Sequence, residues 1–374
     1  MIHGYTGKEV EGFEEKLDTE VLSLIHLLES SYIAYNKPFD FARKAQYFAI
    51  DAITHIALGK PIGFLETDSD VYNYIGFFEK QMAVVGFLTN FPGFTRMFAW
   101  PVLNRAIPKP TDKDGLGKLM GVAKEAVTER FATGTNVHQK DMLGSFIARG
   151  LTPTELEDEL IVQVAGGTDT SATVIRSATL NIATNPRIHR KLLEEIDSVP
   201  PYPKDKIIDD ATARGLPYLT AIIRESLRWL SPAIDMSPKV VPPEGDVWNG
   251  VHIPGGTHVG WNAMCIMRDP EVWGEDSEEF RPERWLEAVS DPDKLRDMET
   301  VVELNFAGSS RYECLGRTVA LVEIRKVLFE LFRRYELVVM NAGNPWTSIE
   351  WNLIKQYDFW LKAYPRKNSP SILP

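Results

Sequence analysis

The sequence predicts a mainly α protein with a small β region, and three observations carry that prediction. Apolar residues recur at helical spacing through most of the 374 residues. Thr152-Pro153-Thr154-Glu155 is a capping box with proline at the first helical position. The pattern it opens runs to Asn185-Pro186, a length of about 48 Å at 1.5 Å per residue. Strand-like runs, in contrast, are short and confined to 240–264 and the C-terminal end.

Taken in order, Val10 to Ile33 reads as a helix with apolar positions Phe13, Leu17, Val21, Leu22, Leu24, Ile25, Leu27 and Leu28. Phe39 to Leu58 is a second apolar-rich helix, stopped by Gly59-Lys60-Pro61. Val71 to Leu88 is a third, rich in aromatics such as Phe77 and Phe87, which fill a core or roof an apolar cavity. Asn90 to Pro110 is broken by prolines and reads as loop, and Lys113 to Thr133 as a fourth helix. After the long helix come Pro186 to Val199 and Gly215 to Leu230, the latter ended by Ser231-Pro232. Val240-Val241, Trp248 to Ile253 and His258 to Met264 read as strands joined by Gly/Pro turns. The last helix starts near Leu315 and runs through Val319, Val322, Val327 and Leu331; Tyr335 to Met340 and Phe359 to Tyr364 follow as strands.

Composition excludes several function classes. A net charge of −11 argues against nucleic acid as partner. Only Cys265 and Cys314 are present, which excludes a disulfide framework or a Cys-rich zinc site and suits a reducing compartment. The histidines lack metal-site spacing, no run of about eighteen apolar residues offers a transmembrane helix, and the polar start is not a signal peptide. One domain over 1–374 is expected.

Two stretches carry chemistry. At the centre of the long helix lies Ala165-Gly166-Gly167-Thr168-Asp169-Thr170-Ser171. Two glycines cost roughly 2 kcal/mol of helix propensity, and Thr or Ser can bond back to the preceding turn and bend it. The glycines admit either another backbone at close range or a kink that opens a pocket for a small molecule. The second stretch, Phe306-Ala307-Gly308-Ser309-Ser310-Arg311-Tyr312-Glu313-Cys314-Leu315-Gly316, is a loop that delivers a cysteine to a helix start. Most lone cysteines are small buried hydrophobes. Here free N–H groups, the dipole, Arg311 and Arg317 are expected to lower the thiol pKa, giving a nucleophile or soft metal ligand.

The cysteine loop resembles Phe-x-x-Gly-x-Arg-x-Cys-x-Gly of the cytochrome P-450 family, with one extra residue between Arg311 and Cys314, as in fungal members, and Ser309 where glycine is usual. Gly167-Thr168-Asp169-Thr170-Ser171 resembles that family's oxygen-binding motif, Glu225-x-x-Arg228 its Glu-x-x-Arg pair, and Pro282-Glu283-Arg284 the segment that completes it. The four motifs stand in the family's order. The resemblance implies a heme b held through Cys314 with Phe306, Arg311, Lys239 and Gly316 in the cofactor site, Arg311 and Lys239 serving the propionates. It implies that Asp169 and Thr170 relay protons to dioxygen at the haem, and that Glu225, Arg228 and Arg284 form a structural triad without chemistry. The turn between the C-terminal strands is expected to line the substrate pocket.

The implied activity is a monooxygenase that inserts one oxygen atom from O2 into an apolar small molecule, in fungal secondary metabolism or in aromatic or xenobiotic oxidation. Electrons would come from NADPH through a separate reductase, for which Arg317, Arg325 and Lys326 are docking candidates. Full-length relatives sit on the cytosolic face of the endoplasmic reticulum membrane. They begin with an anchor, first strands and first helices, one of which grips the propionates, and this chain starts after them. Low haem content is therefore expected, and the rival readings are a non-catalytic remnant or an O2-independent rearrangement.

Overall fold

Thr152 starts the long helix as its capping box requires. Its N–H donates to Glu155 at 2.8 Å, and its hydroxyl accepts from the Glu155 N–H. The structure is a computed structural model and describes residues 1–91, 94, 107–132, 140–234, 238–308 and 311–367. Its central helix runs from Pro153 to Thr184 without a break. Around it pack the helices Phe41–Leu58, Gly115–Ala132, Pro217–Trp229 and Arg317–Arg334. One continuous apolar core joins them. A helix of 32 residues is stable in water-excluded surroundings because neighbours bury it on several sides: from Ala172 to Leu180 every residue is buried.

Polar groups on this helix find partners across the core, which fixes its rotation. Arg176 is fully buried and donates to the Ala42 carbonyl at 2.7 and 3.1 Å and to Gln356 at 3.2 Å. Thr173 donates to the Ile354 carbonyl at 2.9 Å. The C-terminal part thus clamps the middle of the chain. Strand Trp360–Pro365 lies between Phe39–Asp40 and Tyr335–Val339 in an antiparallel sheet, with Leu337 opposite Ala363. In the hairpin Thr347–Trp351 and Leu353–Tyr357 the second strand packs on the central helix and on helix Phe41–Leu58.

Several elements differ from the sequence expectation. The run Trp248 to Ile253 is not one strand. Asn249 and Gly250 both take positive φ (48° and 78°), so the chain reverses and pairs Asp246–Trp248 with Val251–Ile253. His258 to Met264 is strand only at His258–Val259; Asn262 then caps a short helix, Ala263–Ile266. Helices Met142–Ala148, Asp210–Arg214 and Pro292–Glu303 were not expected. Each starts at an aspartate whose side chain accepts a backbone N–H, Asp141, Asp209 and Asp291. Most of the proline-broken stretch Asn90 to Pro110 lies outside the described residues.

The triad residues meet in the interior. Glu225, Arg228 and Arg284 are 0, 0 and 3% exposed. Arg228 reaches Glu225 at 2.7 and 3.0 Å, and Arg284 reaches it at 3.1 Å. Both arginines also hold the backbone of 267–279: Arg228 donates to the carbonyls of Met267, Ser277 and Glu279, and Arg284 to those of Trp273, Asp276 and Glu279.

Candidate functional site

A cavity of about 320 Å3 lies between the middle of the central helix and the start of helix Arg317–Arg334. The first wall is Gln163, Gly166, Gly167, Thr170, Ser171 and Val174, positions three or four apart that share one helical face. The opposite wall is Phe306, Cys314, Leu315, Gly316, Val319, Ala320 and Glu323. The two glycines have different reasons. A side chain on Gly166 would project into the open cavity, with nothing within 4 Å. One on Gly167 would come within 3.3 Å of the Ile53 side chain. Neither expected explanation holds as stated: the helix is not broken here, and the neighbour is a side chain rather than a backbone. Thr170 and Thr168 nonetheless bond back, donating to the Gly166 and Val164 carbonyls at 2.7 and 2.6 Å.

Cys314 faces this wall from the loop before Gly316. Its N–H donates to the Phe306 carbonyl at 2.9 Å, and its carbonyl accepts from Arg317 N–H at 3.3 Å, so the loop is closed on both sides of the sulfur. Ala307 and Gly308 make the reversal at φ of 65° and 63°. Ser309 lies outside the described residues. A side chain at Gly316 would meet the Cys314 sulfur at 3.9 Å, an ordinary contact, so the glycine is not required by space within the loop itself.

The thiol differs from the sequence expectation. Burial pushes its pKa up, and this outweighs the N–H groups of Gly316 and Arg317 that pull it down. Arg317 contributes little free charge because its guanidinium is paired with Glu303 at 2.9 Å and lies over the Phe306 ring. Cys314 stays open to the cavity, so its sulfur is both enclosed by protein and reachable.

The remaining expected residues divide. Phe306, Gly316 and Thr170 border the cavity. Lys239 and Arg311 do not; both are exposed and stand over the Tyr312 ring at 5.0 and 5.1 Å. Asp169 points away. Its carboxylate accepts from Gln46 at 2.6 Å and pairs with Lys355 at 3.4 Å. Burial alone would raise its pKa, but Lys355, Arg176 and Gln46 hold it below the usual carboxylate range. It does not border the cavity, and through Lys355 it ties the central helix to the C-terminal hairpin. That hairpin's turn does not border the cavity either; it bonds to Pro232 and Ile234, and Pro232 and Ala233 form the border.

The docking candidates also change. Lys326 is fully buried and bound to Asp18 at 2.6 Å, Glu14 at 2.7 Å and the Ile208 carbonyl at 2.7 Å. Arg325 is buried against Asp210 at 2.7 Å. Neither is available to a partner, and of the three only Arg317 reaches the surface, paired as described.

Glu323 was missed by the sequence reading. It is 3% exposed and lines the cavity. Burial pushes its carboxyl up to about 8, and the nearby Ser171 hydroxyl, which makes no formal hydrogen bond, only partly eases ionisation. The available signal was its place four residues after Val319, on the inward face. The folded protein therefore holds a proton that the unfolded chain releases above 4.5. Stability from this group is present below that value and lost as pH rises towards about 8. Urea midpoints measured from pH 5 to 8 should fall more steeply for the wild type than for Glu323→Gln. Parallel curves would show that Glu323 does not titrate there.

The chemistry of the donor set decides what the cavity can hold. Among the described residues no three His, Cys, Asp or Glu side chains cluster to bind a metal ion. A metal at Cys314 must bring its other ligands with it. A planar tetrapyrrole does so, and the cavity's apolar walls and single soft donor fit one.

Comparison with known proteins agrees. The Cytochrome P450 family model matches residues 3–365. The chain is 37% identical over 372 residues to the cytochrome P450 monooxygenase ABA1 of Pyricularia oryzae, covering 97% of this chain and 72% of that protein. It is 33% identical to the cytochrome P450 monooxygenase aba1 of Botryotinia fuckeliana (96% and 71%), and 27% to the pisatin demethylase of Fusarium vanettenii (97% and 69%). The crystal structure of a cytochrome P450DA heme domain superposes with a TM-score of 0.75 at 16% identity, covering all of this chain and 76% of the other.

Proposed function

The chain belongs to the cytochrome P450 family, and from that premise we propose that it is a haem-dependent monooxygenase acting on an apolar small molecule with electrons from NADPH delivered by a separate reductase. The observation that carries the reading is the Cys314 sulfur facing Thr170 and Gly166 across an apolar cavity. When bound, the haem would supply the dioxygen and electron-transfer chemistry. Cys314 would be its one protein ligand, Phe306 and Val319 would pack on it, and Gly166 and Gly316 would leave room for it.

The chain's own contribution on the far side is Thr170. Its hydroxyl proton is engaged by the Gly166 carbonyl, which leaves oxygen lone pairs facing the cavity. A hydroxyl so placed can accept a proton donor from the cavity and pass protons on by rotating. Asp169 takes no part from its present position. One relative is named for demethylating pisatin. We assign this chain the same style of reaction, oxidation of carbon on a mainly apolar molecule, within fungal secondary metabolism.

Absorbance of the reduced protein under carbon monoxide tests the reading directly: a thiolate-type band supports it, and its absence in the wild type overturns it. Thr170→Ala should retain haem and the spectrum while diverting NADPH electrons to hydrogen peroxide. Unchanged product per NADPH would remove Thr170 from the proton path.

A further inference from the structure

The apolar cavity has one polar end that the monooxygenase reading leaves unused. Gln163 is 4% exposed, borders the cavity, and has no hydrogen-bond partner for either its amide oxygen or its amide nitrogen. Burying an amide with both ends unsatisfied is costly, so such a group signals a missing partner. Its amide approaches the Tyr5 hydroxyl as a hydrogen-bond donor would and pulls that hydroxyl's pKa down, but it stands outside hydrogen-bond geometry, so neither end of the amide is satisfied. That hydroxyl is committed elsewhere, donating to the Glu159 carboxylate one turn before Gln163. Tyr5 and Glu159 border the same end of the cavity.

We propose that Gln163 is the recognition point for a neutral hydroxyl on an otherwise apolar substrate. A hydroxyl both donates and accepts, so it can satisfy the amide oxygen or the amide nitrogen, as a hydrocarbon cannot. A carboxylate is disfavoured there because Glu159 presents like charge to it. Gln163 and Thr170 are seven residues apart on one face of an unbroken helix, roughly 10 Å at 1.5 Å per residue. The substrate would therefore carry its hydroxyl about two helical turns from the carbon held near Thr170. This substrate class rests on the monooxygenase reading, which supplies the reacting end of the cavity.

The test is equilibrium dialysis of the full chain, with haem content and the carbon monoxide spectrum measured on the same preparations. The probes are 4-phenylphenol, biphenyl and biphenyl-4-carboxylate, which share one rigid apolar body. Wild type should prefer the phenol to biphenyl by roughly 3- to 10-fold, the effect of one neutral hydrogen bond, and reject the carboxylate. Gln163→Leu, close in volume, should erase the preference while keeping biphenyl affinity and haem content. Glu159→Gln should admit the carboxylate and keep the preference for the phenol. Equal affinity of wild type for phenol and biphenyl overturns the proposal. So does loss of haem from a folded Gln163→Leu protein, because the amide would then be serving the cofactor. Failure of the monooxygenase reading shows separately, as a missing carbon monoxide band in a wild type whose preference among the probes is still measured by dialysis.

Discussion

Cys314→Ala should abolish the thiolate-type carbon monoxide spectrum and reduce haem content to background, while Cys265→Ala should change neither. The two cysteines are both exposed to solvent, so exposure does not tell them apart. Their surroundings do. Cys265 sits in the four-residue helix Ala263–Ile266, where its N–H is held by the Asn262 side chain, and it does not border the cavity. Cys314 borders the cavity from a loop fixed by its own N–H and carbonyl, with the N–H groups of Gly316 and Arg317 turned towards its sulfur. Those N–H groups would stabilise a thiolate that a metal has deprotonated. Alanine keeps the loop's backbone bonds and removes only the donor, so the fold should survive. Retention of the spectrum by Cys314→Ala, or its loss in Cys265→Ala, would overturn the assignment of the ligand.

How much of this was legible in the sequence depends on what kind of signal each residue gave. Long apolar periodicities and caps were legible, because one helix face and one side chain decide them locally. The capping box at Thr152 is the clearest case. The cysteine loop was legible as a loop before a helix, but its thiol pKa was not. The dipole and N–H groups are local, whereas burial is a property of what packs around the loop, and burial won. Asp169 and Thr170 show a different failure. At about 100° per residue the cavity face formed by 163, 166, 167, 170, 171 and 174 spans about 140° of the helix, and Asp169 falls outside it. That arithmetic was available, and it already assigns Asp169 to the side where Lys355 and Gln46 wait. Lys326 fell to the same arithmetic: it follows Val319 and Val322 at seven and four residues, on the buried stripe. Its partners Glu14 and Asp18 are more than 300 residues away in sequence, and no local pattern announces them. Gln163 gave no signal at all in the sequence, since an isolated glutamine on a helix is ordinary; only its unsatisfied amide marks it.

Glu225→Gln should destabilise the protein by about 3–5 kcal/mol, the cost of breaking a buried ion pair by removing one partner. The Glu225 carboxylate accepts five hydrogen bonds: two from Arg228, and one each from Arg284, the Arg281 N–H and the Trp285 indole. Two positive guanidiniums share that single buried negative charge, although Arg284 also meets Asp276 at 2.9 Å. Glutamine keeps the shape but not the charge, and its amide nitrogen would face donors where an acceptor is needed. The arginines cannot respond by deprotonating, so the penalty falls on the fold. It would be transmitted outward, because the same guanidiniums tie down the backbone of 267–279 beside the helix that carries Glu225. The loss is comparable to the lower end of a domain's whole stability, about 5 kcal/mol. Arg281→Ala is the control. Its guanidinium makes only partly exposed pairs with Asp276 and Glu287, worth under about 1 kcal/mol, and its N–H bond to Glu225 survives the change. Urea midpoints of the two variants, or soluble yield where Glu225→Gln does not fold, should separate them clearly. A Glu225→Gln protein as stable as Arg281→Ala would mean that the charge is not needed to hold the two arginines inside.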